Sequence, residues 1–336
     1  MTLPTRSIGP FTVSAIGLGC MNLSHAYGVV PTEAEGAALL NHALDVGVTF
    51  LDTAALYGGG ANERLIGKAL MHRRHEFTLA SKCVLDLHAG GRRGIDGSPA
   101  AIARTLDAAL LRLGTDHIDL YYLHRLDPDV PIEESVGALV RAREAGKIGA
   151  LGLSEMSAAT IARAQAVHPI AAVQSEYSPA VRNPEVAVLD HCRVHGIGFV
   201  AFSPVARALL AGGIDGTAYA SGDIRATMPR FNPPHLAPNL ALAARFAALA
   251  DEAGVTPAQL SLGWCLSRGD HVVPIPGTTS IAHLEENVGA ATLVFGSDLL
   301  AAVDALLPAN ALHGARYASG PQAQIDTERL PDEPLA

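Results

Sequence analysis

Cysteine is scarce in this chain. Cys20, Cys83, Cys192 and Cys265 stand far apart and form no Cys-x-x-Cys pair, which argues against a disulfide framework and leaves them as small buried hydrophobes in a reducing compartment. No metal site is expected. Positive charge is also in short supply: 24 Lys and Arg face 33 Asp and Glu, a net charge of -9. A broad attraction to nucleic acid or to an anionic membrane is therefore not expected. No run of about 20 apolar residues occurs, and the first 19 residues lack the basic segment, apolar core and small-residue cleavage site of a leader peptide, so a cytoplasmic location is the expectation. Aromatic residues make up 5% and charged residues 17% of a chain that is 49% hydrophobic, a balance suited to a tightly packed enzyme rather than a disordered or fibrous chain.

The glycine fingerprint of a doubly wound dinucleotide fold is missing too. Gly17-Leu18-Gly19-Cys20-Met21-Asn22 supplies two glycines and no third, against the GxGxxG pattern. Repetition is what the chain does have. Runs rich in Val, Ile, Leu and Phe recur at about 13–18, 48–52, 77–82, 118–123, 148–153, 170–174, 197–202 and 271–275, separated by helical stretches with apolar residues three and four apart. Thr32, Ser98 and Ser157 read as helix N-caps, with Pro99 at a first helical position, and Gly47, Gly114, Gly146 and Gly196 read as stops.

Eight continuous apolar strands alternating with helices and no clear linker predict an α/β fold, a single-domain (β/α)8 TIM barrel. The barrel is placed over 1–313, with extra helices after the seventh strand (about 239–253 and 257–268) and near the C-terminus (about 297–306). A polar tail, 314–336, is left either disordered or folded back over the site. The long connection at about 204–237 is expected to be a lid or binding segment.

Four residues stand at or just beyond strand ends: Asp52, Tyr57, Lys82 and His124. In a barrel those ends converge on one face. A strand-end carboxylate and ammonium are costly to bury unless paired, so Asp52 and Lys82 are natural partners. A nearby ammonium is expected to lower the pKa of the Tyr57 phenol and fit it to donate a proton to a carbonyl oxygen, which His124 orients. Such a site needs an external hydride, hence a nicotinamide cofactor. Met21, Tyr27, Arg125 and Phe231 are expected around the mouth, with the loop 86–97 and its Arg92 and Arg93.

The segments Gly47-Val-Thr-Phe-Leu-Asp52-Thr-Ala-Ala-Leu-Tyr57-Gly, Asn62-Glu63, Leu111 to His124, and Ile275-Pro-Gly-Thr278 with Leu284-Glu-Glu-Asn287 resemble the aldo-keto reductase family. The opening Gly-Leu-Gly-Cys-Met is closest to the bacterial and plant branch related to potassium-channel beta subunits. The resemblance implies that Asp52, Tyr57, Lys82 and His124 form a catalytic tetrad, that NADPH is the hydride donor with NADH possible, and that a small aldehyde or ketone is the substrate.

It further implies that Ser154 and Gln174 hold the nicotinamide carboxamide and that Tyr177 stacks on the ring. The backbone at Ser203 and Pro204 would approach the pyrophosphate, and Gly277, Thr278, Glu286 and Asn287 would face the adenosine. Relatives often carry Asn where Glu155 stands. They also often carry Lys or Arg just after Thr278, where this chain has Thr279, Ser280 and His283, with Arg207 as another source of the charge a 2′-phosphate needs. A slow nicotinamide-binding regulatory or redox-sensing protein is the alternative that the channel-associated branch suggests. Oligomeric state is not encoded legibly.

Overall fold

The computed structural model describes residues 3–24, 26–87, 93–214 and 218–335. Twelve strands are present among them: β1 (Thr5–Ile8), β2 (Phe11–Ser14), β3 (Leu18–Gly19), β4 (Phe50–Asp52), β5 (Thr78–Cys83), β6 (Leu85–Leu87), β7 (Arg93–Ile95), β8 (Ile118–Leu123), β9 (Ile148–Ser154), β10 (Ala172–Glu176), β11 (Gly198–Phe202) and β12 (Val272–Pro274). Eight of them form one parallel sheet in the order β12-β11-β10-β9-β8-β5-β4-β3. The two edges meet. Gly17 N donates to Pro274 O at 3.0 Å and Gly19 N to Pro276 O at 3.2 Å, which closes the sheet into the (β/α)8 TIM barrel.

The first strand differs from the expected run at 13–18. Ser14 bonds Thr49 on both sides, its amide donating to Thr49 Oγ1 at 2.7 Å, while its own hydroxyl donates to Ile16 O at 2.7 Å. That local bond turns the chain, as serine side chains readily do. Val13 and Ser14 therefore belong to the β1–β2 hairpin, and only Leu18–Gly19 joins the barrel. The hairpin plugs the bottom, since Ile8 and Val13 pack with Phe50, Leu120, Val200 and Val273 inside the barrel. A second hairpin, β6–β7, extends beyond β5; Arg92 lies outside the described residues, as does the side chain of Arg93.

Helices α1 (Glu33–Asp45), α2 (Ala61–Leu70), α3 (Pro99–Leu113), α4 (Ile132–Glu144), α5 (Ala158–Val167) and α6 (Val188–His195) connect the strands, followed by α7 (Leu236–Glu252), α8 (Pro257–Leu266), α9 (Ile281–Gly289), α10 (Ser297–Leu306) and the short α11 (Ser319–Gln322). Their ends follow the capping chemistry read from the sequence. Thr32 closes a capping box with Glu35, Ser98 accepts from Ala101 N ahead of Pro99, and Ser157 accepts from Thr160 N. Gly114 and Gly196 end α3 and α6 in the left-handed region that glycine adopts without strain.

A large apolar layer between sheet and helices contains Trp264, Phe246, Phe199 and all four cysteines, each fully buried. Among the described residues no helix is long and apolar enough to cross a membrane.

Candidate active site

Alternation along a strand sends every second side chain into the barrel. Phe50 and Ala80 pack in the interior, so Asp52 and Lys82, two residues further along β4 and β5, point inward at the upper rim. Lys82 has no solvent exposure. Its ammonium donates to an Asp52 carboxylate oxygen, to Thr53 O at 2.9 Å and to Tyr57 Oη at 3.2 Å, so its three protons have three acceptors. Burial works against its charge, yet Asp52 and Tyr57 outweigh burial and raise its pKa.

Tyr57 reaches this position through a tight turn. Gly58, Gly59 and Gly60 all take positive φ (59°, 60° and 83°), and a Cβ on Gly60 would lie 2.5 Å from Arg112 Cδ, so glycine is required there. The adjoining Asn62 and Glu63 explain why that pair stands in the sequence. Asn62 accepts from Thr53 Oγ1 at 2.6 Å and donates to Cys20 O at 2.8 Å, while Glu63 accepts from Ser81 at 2.6 Å and Arg112 at 2.6 Å. Both buried side chains brace the residues next to the tetrad.

The pKa of Tyr57 departs from the expectation. Burial raises it, and this exceeds the lowering by Lys82; Asp52 also raises it, so the net shift is upward from 10.0. Burial is the quantity a sequence does not display. His124, 7% exposed, sets its ring edge-on to Tyr57 with centroids 6.0 Å apart.

Asp52, Tyr57 and His124 line a cavity of about 250 Å³ together with Met21, Tyr27, Arg125, Ser154 and Gln174, with Lys82 behind Asp52 and Tyr57. Gln174 donates from Nε2 to Asp52 Oδ2 at 2.8 Å, tying the sixth strand of the barrel to the Asp52–Lys82 pair. Arg125 Nη1 donates to His124 O at 2.6 Å and to Ser154 Oγ at 3.4 Å.

The cavity continues over Gly19, Gly277 and the loop after β11, where Ser203, Pro204, Arg207 and Ala208 form the wall. A Cβ on Gly277 would lie 2.8 Å from Asn22 Oδ1 and 2.9 Å from Gly19 O, so bare backbone keeps this floor open. Four non-glycine residues in the loop take positive φ: Ser203 (50°), Ala206 (50°), Arg207 (57°) and Ala208 (72°). Such strain concentrates at ligand sites. The amides of Val205, Arg207 and Ala208 donate to no protein group among the described residues, and backbone N–H groups left free in this way suit an anion. Thr278, Thr279, Ser280, His283, Glu286 and Asn287 lie next door at the start of α9 and along it, where Ser280 caps the helix by accepting from His283 N.

Those six residues do not line the cavity itself, and Tyr177 and Phe231 are not brought to it. Tyr177 is fully buried behind β10, edge-on to Phe199 at 5.5 Å and tilted on Trp264 at 5.2 Å, with its hydroxyl donating to Glu185 at 2.7 Å. Strand parity explains this: Gln174 points inward, and Tyr177 three residues later points to the helices. Ring stacking on a cofactor is not a role this position gives it. Phe231 is buried in the main apolar cluster, and Ile224 and Arg225 of the same long loop reach the wall instead.

Tyr317, from the polar tail, also lines the cavity, and sequence reasoning missed it. The tail folds back. Arg316, 2% exposed, bonds Glu155 Oε1 and Glu176 Oε2, both at 3.1 Å, and Thr327 Oγ1 donates to Glu155 Oε2 at 2.9 Å. Arg207 adds Glu176 at 3.1 Å, the Tyr317 hydroxyl at 2.6 Å and the Tyr27 hydroxyl at 2.8 Å. Glu155 is thus an anchor for the tail. The signal available was Arg316-Tyr317 itself, an arginine beside the one aromatic residue of the segment 314–336.

Burial alone would raise the pKa of Glu176, but Arg207, Arg316 and the Tyr317 hydroxyl outweigh it and hold it at about 2, down from 4.5. A carboxylate with a depressed folded-state pKa contributes stability that is fully present above 4.5 and is lost as pH falls toward about 2. Urea unfolding across that window is expected to show the wild type losing on the order of 3 kcal/mol more than Glu176→Gln, which has no such proton to take up. Parallel pH dependence of the two proteins would contradict the paired state of Glu176.

Known proteins resemble this chain in sequence and fold. The aldo/keto reductase family model matches residues 15–308. The aldo-keto reductase yakc of Schizosaccharomyces pombe, named for NADP(+), is 41% identical over 98% of this chain and 100% of its own length, and a probable aldo-keto reductase of Glycine max is 40% identical over 92% and 90%. Among solved structures, the glycerol dehydrogenase of Gluconobacter oxydans superposes with a TM-score of 0.82 at 25% identity, covering 99% of both chains. An aldo-keto reductase of Klebsiella pneumoniae in complex with NADPH gives 0.73 at 27% identity over 92% of this chain and 96% of that one. With a matching family model over most of its length and full-length relatives at this identity, the chain belongs to the aldo/keto reductase family of oxidoreductases.

Proposed function

We propose that this protein reduces aldehyde and ketone carbonyls with NADPH, with Tyr57 as the proton donor. The observation that carries the reading is the Lys82 ammonium, shared between Asp52 and the Tyr57 hydroxyl in the wall of a cavity that also presents His124.

NADPH, when bound, supplies the hydride for the carbonyl carbon. Tyr57 gives its hydroxyl proton to the carbonyl oxygen and accepts one in the reverse reaction. Lys82 stabilises the phenolate left behind, and Asp52 holds Lys82 in place and charged. His124 hydrogen-bonds the carbonyl oxygen and fixes its direction. Ser154 and Gln174 would hold the carboxamide, and the strained Ser203–Ala208 backbone would take the pyrophosphate. Gly277 to Ser280, with His283, Glu286 and Asn287, would hold the adenosine end. The fit rests on the open glycine floor and the unfilled loop amides.

Replacing Tyr57 with Phe is expected to lower kcat for aldehyde reduction by about 10²- to 10⁴-fold, while NADPH binding, read by fluorescence titration, stays within a few-fold of wild type. An unchanged rate would refute the assignment of the donor.

Cofactor choice is a second proposal. Arg207 is paired with Glu176, so it is not free to replace the cation missing after Thr278. Hydroxyls and a helix N-terminus hold a phosphate, but without the bidentate contact a guanidinium provides. NADH is therefore accepted unusually well. Steady-state kinetics with each cofactor are expected to show a preference for NADPH below about a thousandfold, roughly 4 kcal/mol; a larger ratio would overturn this.

A further inference from the structure

Three guanidinium groups stand in the cavity wall: Arg125, Arg207 and Arg225. Two of them are neutralised within the protein, Arg207 by Glu176 at 3.1 Å and Arg225 by Asp223 at 2.7 Å. Behind them Lys82 has Asp52, and Arg316 has Glu155 at 3.1 Å. The four cations Lys82, Arg207, Arg225 and Arg316 are thus matched by the four carboxylates Asp52, Glu176, Asp223 and Glu155. Arg125 remains. Among the described residues it forms no ion pair, although it is only 8% exposed.

Its hydrogen bonds leave most of its capacity unused. Nη1 donates to His124 O and Ser154 Oγ, at 2.6 and 3.4 Å, and no described protein group accepts from Nη2 or Nε. A guanidinium buried without a counter-charge is costly, and a carboxylate that accepts two parallel N–H bonds is the group that best offsets that cost. Arg125 follows His124 directly, so such a carboxylate would lie beside the carbonyl-orienting imidazole. Apolar side chains, Met21, Leu56, Phe202 and Ile224, make up much of the remaining wall.

We propose that Arg125 is a specificity-determining residue that pairs with a carboxylate on the substrate, so that the preferred substrates are aldehydes or ketones carrying a carboxylate on an apolar body. The proposal rests on the reductase reading above. It names the substrate class for that same cavity. The competing partner for Arg125 is the cofactor carboxamide, because Ser154 is its neighbour, and the experiment separates the two.

The test compares kcat/KM for 4-carboxybenzaldehyde with that for benzaldehyde, using NADPH, in wild type, Arg125→Met and Arg125→Lys. The expected acid-to-neutral ratio is above one in wild type, falls about 30-fold in Arg125→Met, the scale of hydrogen bonds to a charged group, and recovers in part in Arg125→Lys. A purely structural role would lower both substrates alike and leave the ratio in place, which would overturn the proposal. So would a wild-type ratio below one, or weaker NADPH binding in Arg125→Met with no change in ratio.

Benzoate and benzamide binding to the protein with NADP⁺, measured by calorimetry, gives a readout that needs no turnover. Benzoate binding that is tighter than benzamide binding and is lost in Arg125→Met supports the anion site, even if neither aldehyde is reduced and the reductase reading fails. Benzoate binding that is absent, or equal in both proteins, overturns it.

Discussion

A lysine ammonium held entirely out of solvent must be answered by the protein around it, and the upper rim of the barrel is arranged to answer Lys82. Asp52 supplies the counter-charge, Thr53 a carbonyl and Tyr57 a hydroxyl. Each of these comes from β4 or the turn after it, so the neighbouring strand ends are locked to one another by the same ammonium that tunes the phenol. Removing any partner would leave a buried charge short of an acceptor. Gln174 extends the arrangement from β10 by donating to the other Asp52 oxygen, which places Gln174 and Tyr57 on one frame around Asp52 and Lys82.

A second buried charge group stabilises the opposite side of the cavity. Glu155 and Glu176, at the ends of β9 and β10, face Arg207 from the strained loop and Arg316 from the tail. This group brings Tyr317 and Tyr27 to the wall and closes the C-terminal segment over the barrel. The loop after β11 and the tail are thus coupled twice, through Glu176, which pairs with both Arg207 and Arg316, and through the direct bond from Arg207 to the Tyr317 hydroxyl. Glu155, just beyond the end of a barrel strand, serves the tail through Arg316 and Thr327.

The clustering of Asp52, Tyr57, Lys82 and His124 was legible in the sequence because each sits in or just after an apolar run, and barrel geometry converts strand ends into neighbours. The helix caps were legible because Ser and Thr accept from amides two or three residues on, a purely local relation. The tail was not. The contact between Glu155 and Thr327 spans 172 positions and leaves no periodic trace. Nor was the split of the first strand, which turns on one serine hydroxyl, or the upward pKa shift of Tyr57, which depends on burial. Tyr177 shows the limit of carrying a role across by resemblance: the residue type matched, but strand parity points it at Trp264.

Reduction by the proposed mechanism gives the two hydrogens added to a carbonyl separate origins, the cofactor for carbon and Tyr57, in exchange with solvent, for oxygen. Reduction of an aldehyde with NADPH deuterated at the transferring position of the nicotinamide, in ordinary water, tests this directly when the alcohol is examined by NMR. One deuterium on the carbinol carbon is the predicted result. Product with no deuterium at carbon, or carbon-bound deuterium when unlabelled NADPH is used in heavy water, would contradict direct hydride transfer at this site.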